Sequence, residues 1–171
     1  MDKILALKAP VLLESSHDTS RFDCGVEPLN EYLVKFAYIN NQNRSARTYV
    51  ATRNQQVVGY YTLTPGSIIR ENVPKRVSKG LANHPVPVII IARLAVDIAD
   101  RGKGLGKGLL RNAFIRILRA SDIIGGRAVL VHAKDVKAKA FYEHFGFESS
   151  PIDQFHLYLL LKDIKKTVGI Q

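Results

Sequence analysis

The chain is short of sulfur: one cysteine, one methionine and no tryptophan in 171 residues. A lone Cys24 excludes an internal disulfide and fits a reducing, cytoplasmic setting. Histidines 17, 84, 132, 144 and 156 are scattered, and with a single cysteine they give no zinc spacing, so no metal is expected. No apolar run reaches the roughly 18 residues of a membrane span, so no membrane partner is expected. Residues 1–5 lack a basic segment leading into an apolar one, so no secretory leader is expected. Acids are also scarce. Against 15 Asp+Glu stand 25 Lys+Arg, a net charge of +10, which favours a polyanionic partner such as nucleic acid or a phosphate-rich cofactor. The surplus is uneven: Arg101, Lys103, Lys107, Arg111, Arg116 and Arg119 occur with no acid from 101 to 119. Repeats, low-complexity tracts and domain boundaries are absent, and 46% hydrophobic residues suffice for a core. One domain over 1–171 is therefore expected.

What is present centres on residues 88–119. Val88 to Val96 is an apolar, β-branched run preceded by Pro85 and Pro87, the pattern of a buried strand. Leu105, Leu109, Ala113 and Ile117, with Leu110, Phe114 and Leu118, fall on one side of a helix. Between them lies Asp100-Arg101-Gly102-Lys103-Gly104-Leu105-Gly106. A strand feeding a glycine-rich turn that opens a helix makes an anion seat. Glycine lets the backbone approach closely, and the first helical N–H groups have no partner within the helix. The spacing is neither that of the nucleotide-binding P-loop, since Gly108 follows Lys107, nor the Gly-x-Gly-x-x-Gly dinucleotide fingerprint.

Along the chain, 10–13 suggests a short first strand, and Pro28 with Leu29, Leu33 and Phe36 a first helix. Residues 40–47 read as a polar connection. Residues 49–51 and 57–63 form a hairpin around Arg53-Asn54-Gln55-Gln56. Residues 64–87, with four of the seven prolines, read as one long connection that carries the basic group Arg70, Lys75, Arg76 and Lys79. This group is either a surface for a large anion or simply solvated. Residues 127–133 form a strand, and a helix runs from Asp135 as N-cap to Gly146 just past its end. Residues 147 and 155–161 add one or two strands. Cys24 reads as a small buried apolar residue rather than a nucleophile, and His132 as structural rather than a base.

The Arg101-x-x-Gly104-x-Gly106 motif resembles the acetyl-CoA pyrophosphate loop of GNAT acetyltransferases. Ala138-Lys139-Ala140-Phe141-Tyr142-Glu143-His144-Phe145-Gly146-Phe147 is similar to that superfamily's C-terminal signature. The resemblance implies an α/β (α+β) GNAT fold: a mixed, mostly antiparallel central sheet flanked by helices, with splayed strands that hold acetyl-CoA. Phe22-Asp23-Cys24-Gly25 with Leu29-Asn30, Val58-Gly59-Tyr60-Tyr61-Thr62-Leu63 and Ala92-Arg93-Leu94-Ala95-Val96-Asp97 resemble the aminoacyl-tRNA-acetylating GNAT toxins of type II toxin–antitoxin systems. That narrower likeness implies an aminoacyl-tRNA substrate, a homodimer and a ribbon–helix–helix antitoxin.

In this frame Leu94, Ala95 and Val96 pair their backbone with the pantetheine arm, as the resemblance implies. Arg101, Gly102, Lys103, Gly104, Leu105, Gly106 and Phe141 complete the cofactor-binding set. Tyr142 takes the place of the family's acid, and a phenol near 10 is close to matched with a thiol near 8.5, to which it would return a proton. Tyr142 stands one position off the Ala138–Phe141–Phe145 stripe, free to face a cleft. No carboxylate lies within 88–96, where many relatives that acetylate small amines carry a glutamate base; Asp97 and Asp100 read as turn residues. Arg93 either contacts the tRNA end or pairs inside the protein. Two other functions compete with the toxin reading: a GNAT enzyme acting on a small-molecule amine or a protein N-terminus, and a nucleic-acid-binding module without chemistry.

Overall fold

A computed structural model describes residues 5–167. Residues 1–4, where most of the leader reading falls, lie outside the described residues. In chain order the elements are β1 (Leu7–Leu12), α1 (Glu27–Lys35), α2 (Ala37–Asn43), β2 (Arg47–Arg53), β3 (Gln56–Ile68), α3 (Lys75–Ser78), β4 (Val86–Val96), α4 (Leu105–Ile124), β5 (Ala128–His132), α5 (Val136–His144), β6 (Glu148–Ser149), β7 (His156–Leu160) and α6 (Leu161–Thr167). The strands form one sheet in the order β1-β2-β3-β4-β5-β7-β6. Its β1–β2, β2–β3, β5–β7 and β6–β7 ladders are antiparallel, and β4–β5 is parallel. This is the mixed, mostly antiparallel architecture that the resemblance implied.

The chain divides into two compact units. One holds the residues through Thr64 with Arg93–Ala113; the other holds Pro65–Ala92 with the residues from Phe114 onward. The first unit is built on the β2–β3 hairpin, where Asn54 and Gln55 both adopt positive φ, as a right-twisted two-residue turn requires. Phe22, Cys24, Tyr32, Leu33, Val50, Val57, Tyr60 and Ala95 form its core. Thr48 and Thr62, fully buried, satisfy each other across the ladder at 2.8 Å. Cys24 is buried as a small apolar residue, as read from the sequence. In the second unit Val73, Val77, Val86, Val88, Ala128, Leu130, Tyr158 and Leu160 pack together.

Three local expectations are corrected, at 40–47, 64–87 and Leu161. Residues 40–47 are not all connection, because α2 runs through Asn43. The Asn41 side chain is buried there, donating to the carbonyls of Leu13 and Thr48 and accepting from the Thr48 N–H. Tertiary bonds thus outweigh the low helix propensity of asparagine. Residues 64–87 are not one loop. β3 continues through Pro65 to Ile68, past its last pair with β2 at Leu63, where a missing N–H costs no bond in that ladder. A 3₁₀ turn at Arg70–Asn72 and the short α3 follow. α4 continues through Ser121 to Ile124, and the Gly125 N–H bonds Ser121 O at 2.8 Å past its end. The tail from Leu161 is a helix anchored by the buried Ile164.

Candidate active site

β4 changes character halfway. Its ladder to β5 pairs 88–91 with 128–131, and the side chains at 88, 89 and 91 are buried. Beyond Ile91 the strand continues to Val96, with Leu94 and Val96 half-buried and Ala95 in the core. Asp97 then ends it. Its backbone N–H donates to Val58 O at 2.9 Å, and its carboxylate accepts from the N–H groups of Ala99 and Asp23. Asp100, only 7% exposed, accepts from Arg53 at 3.1 and 3.3 Å, with Lys103 Nζ 4.0 Å away. Both aspartates are therefore turn residues, as the sequence suggested.

The loop that follows is exposed from Arg101 to Gly104. Gly102 and Gly104 take φ of +75° and +80°, backbone that side chains rarely adopt, and no atom lies within 4 Å of where a Cβ would stand. The glycines are needed for conformation, not for lack of room. The helical bond Gly108 N–H to Gly104 O, 3.1 Å, follows. The N–H groups of residues 105–107 thus head a 20-residue helix whose first turn contains no acid. Unpaired N–H groups and the positive end of the helix dipole suit an anion. The Arg101 guanidinium donates to the Cys24 carbonyl, which ties the start of the loop to residues 22–25. Gly59 brings β3 close to the helix: a Cβ there would stand 3.1 Å from Leu109 and 3.2 Å from Leu105.

In the second unit, α5 is capped by Asp135, whose carboxylate accepts from the Ala138 N–H at 2.7 Å. The expected stripe is inverted. Tyr142 is buried, 8% exposed, whereas Phe141 and Phe145 are only half-buried. The Tyr142 ring meets Phe147 and Phe141 edge-on, at 5.4 and 5.2 Å. Packing against Phe147 turns this side of the helix inward. Burial pushes the Tyr142 hydroxyl up to about 12, so it carries its proton at neutral pH.

The basic residues separate by partner. Arg93 lies over the Tyr32 ring, 3.5 Å from its centroid, which is the internal pairing left open by the sequence. Arg70 donates to the carbonyls of Leu81 and Ala82. Arg76 pairs with Asp163 at 2.8 Å and approaches Glu148 at 4.0 Å. Lys75 and Lys79 are exposed, and Lys75 and Arg70 line a cavity of about 440 Å³ with Pro74, Ser149 and Pro151. His132 stacks on His156 at 4.1 Å. The bonding of two groups escaped the sequence reading. Arg127 donates to the carbonyls of Val77 and Lys79, and Asp23 and Asn30 bond to each other and to neighbouring backbone. Among the described residues no group of three or more His, Cys, Asp or Glu is arranged to hold a metal, and no helix is long and apolar enough to cross a membrane.

Comparison with known proteins agrees with this fold. Residues 44–149 match the model of the acetyltransferase (GNAT) domain. A tRNA-acetylating toxin of Mycobacterium tuberculosis is 44% identical over 161 residues, covering 94% of this chain and 96% of that protein. The solved structure of AtaT complexed with acetyl-methionyl-tRNAfMet superposes with a TM-score of 0.87 at 30% identity, covering 94% of this chain and 98% of that one. A mutant AtaT bound to the C-terminus of the antitoxin AtaR and acetyl-CoA superposes with a TM-score of 0.80 at 28% identity, covering 96% and 99%.

Proposed function

Because the chain belongs to the GNAT acetyltransferase family, we propose that it is a toxin that moves the acetyl group of acetyl-CoA to the α-amine of aminoacyl-tRNA and so blocks translation. The observation that carries this reading is the 44% identity to a tRNA-acetylating toxin along 94% of the chain. The surplus of ten positive charges supports a nucleic-acid substrate. In this reading residues 1–171 act as one acetyltransferase domain in the cytoplasm, as a homodimer restrained by a ribbon–helix–helix antitoxin.

The donor set of the loop fits a diphosphate. The N–H groups of residues 102–106 at the helix head supply directed donors, and exposed Lys103 adds charge. Arg101 holds the loop while one of its groups serves the Cys24 carbonyl. Leu94, Ala95 and Val96, beyond the last β4–β5 pair, offer backbone to an extended arm such as pantetheine. Leu105 and Phe141 supply apolar contact. When bound, acetyl-CoA brings a thioester-activated acetyl group. The carbon–nitrogen bond forms as the carbon–sulfur bond breaks; the amine loses a proton and the departing sulfur gains one. Tyr142 is the donor to that sulfur. Its hydroxyl is fully protonated near neutrality; burial widens its gap from an ordinary thiol near about 8.5, and the same burial would raise a thiol placed beside it.

No carboxylate lies on β4 to act as base, and the reaction needs little help there. An ordinary α-amino group titrates near about 7.7–8.0, and esterification of the neighbouring carboxyl lowers it further. Arg93, Arg70, Lys75, Arg76 and Lys79 are the candidates for contact with tRNA; of these, exposed Lys75 and Lys79 are the most available. In vitro translation with labelled acetyl-CoA tests the proposal. Label is expected on the aminoacyl moiety of charged tRNA. Label on no charged tRNA, with turnover of a free amine or a protein N-terminus, would transfer the enzyme to the small-amine class.

A further inference from the structure

Residues 22–25 and Asn30 resemble the toxins in sequence, but nothing in that resemblance says what they do. In the structure they form a closed set of hydrogen bonds beneath the glycine loop. The Asn30 side chain accepts from the Cys24 N–H at 2.9 Å and donates to the Asp23 carboxylate at 3.0 Å. The same Asp23 oxygen accepts from the Gly25 N–H at 2.8 Å. Two bonds join this turn to the end of β4: Asp23 N–H to the Asp97 carboxylate, 3.0 Å, and Ile98 N–H to Asp23 O, 2.8 Å. A third joins it to the loop, from the Arg101 guanidinium to the Cys24 carbonyl.

Gly25 completes the fit. It holds φ at +79°, and a Cβ there would stand 3.2 Å from the Arg101 guanidinium and 3.4 Å from Ile98. The Gly25 N–H, first, and the Asn30 amide, second, hold the Asp23 carboxyl below its usual range, so it remains a charged acceptor.

We propose that Asp23, Asn30 and Asp97 are positioning residues for the cofactor loop, acting through Arg101. This rests on the reading of residues 101–106 as the seat of acetyl-CoA. A loop with glycines at 102 and 104 has many conformations, and each must be given up when the diphosphate binds. The brace fixes residues 97–101 beforehand, so only the glycines remain to be ordered and affinity rises through preorganisation. None of the three side chains needs to touch cofactor or substrate.

The test measures acetyl-CoA affinity by calorimetry on the full chain, with steady-state rates on aminoacyl-tRNA. Asn30→Asp keeps the acceptor for Cys24 but replaces the donor to Asp23 with a second carboxylate. It is expected to raise the acetyl-CoA Kd about tenfold, with kcat at saturating acetyl-CoA and KM for aminoacyl-tRNA within about twofold of wild type. Asp23→Asn retains an acceptor oxygen for both of its partners and is expected within about threefold of wild type, a conservative rescue. In an Arg101→Met background, Asn30→Asp should cost less than about twofold more, because the route through Arg101 is already cut. If Asn30→Asp does not fold, Asp97→Asn, which replaces one of the two oxygens that accept from Asp23 and Ala99 with a donor, serves in its place with the same expected change. An unchanged Kd in Asn30→Asp, or in Asp97→Asn where it stands in, or an equal loss in the Arg101→Met background, overturns the brace. So does a fall in kcat and melting temperature that matches the loss of affinity. Absence of acetyl-CoA binding by the wild type overturns the reading of the loop itself.

Discussion

Residues 70–79 and 101–107 carry four and three cations, but Glu71 in the first makes their net charges equal, so charge alone does not choose the anion site. In both stretches the arginines act as ties. Arg70 holds the carbonyls of Leu81 and Ala82, Arg76 holds Asp163, and Arg101 holds Cys24 O. What distinguishes 101–107 is backbone: two glycines at positive φ lead into the head of a 20-residue helix. The short α3 of residues 75–78 offers nothing comparable. The proposed seat for a compact diphosphate is therefore the helix head with its backbone N–H groups, while the exposed lysines are suited to a diffuse polyanion.

That contrast can be broken by substitution. The largest expected effect lies outside both stretches: Tyr142→Phe should lower kcat by about 10²-fold or more while acetyl-CoA binds within about twofold of wild type. A loss confined to binding would move Tyr142 from chemistry to holding. Next, Gly104→Val forces a branched side chain into φ of +80°. Strain of about 1–3 kcal/mol, expressed in binding, should raise the acetyl-CoA Kd by about 5- to 150-fold, read by calorimetry. Retained affinity would remove the backbone from the account.

Replacing Lys75 and Lys79 together by alanine should leave acetyl-CoA binding untouched. It should raise the KM for aminoacyl-tRNA a few-fold and reduce the salt slope of RNA binding by about one per lysine. An acetyl-CoA defect in that variant would erase the division of labour between the stretches. Arg76→Ala should act chiefly on stability, with a smaller effect on the KM for aminoacyl-tRNA than the lysine pair has. Its pair with Asp163 is half-exposed, so the melting temperature should fall by no more than about 4 °C. The smallest effect concerns His132. Desolvation of its ring, then the facing His156, lowers its titration below the ordinary 6.5. The unfolded chain takes up that proton first, so stability present above about pH 6.5 declines as pH falls through the lower folded value. His132→Gln should flatten this part of a melting-temperature profile; an unchanged slope would assign it elsewhere.

The loop and the architecture were legible in the sequence because their signals are local. Glycine spacing, an apolar stripe at helical period and an N-capping aspartate lie within a few residues of what they determine. The burial of Tyr142 was not legible, since Phe147, five residues on and outside the helix, sets which side of α5 turns inward. Asn41 shows the same limit: its bonds to Leu13 and Thr48 make a helix of a segment whose own residues favour a turn. The Asp23–Asp97 bond spans 74 positions, a separation at which one sequence offers no pattern.

Gly59 has a wider consequence. A methyl group there would press at once on Leu105, Leu109 and the Ala95 carbonyl. Those three points belong to the helix head and to the strand segment assigned to acetyl-CoA. Position 59 therefore has little room: an added methyl group asks the Leu105 and Leu109 side chains to give by a few tenths of an ångström. A residue remote from the thioester would then set the tolerance of the whole cradle, and a Gly59→Ala scan should find a cofactor defect where a contact map of the bound molecule would mark nothing.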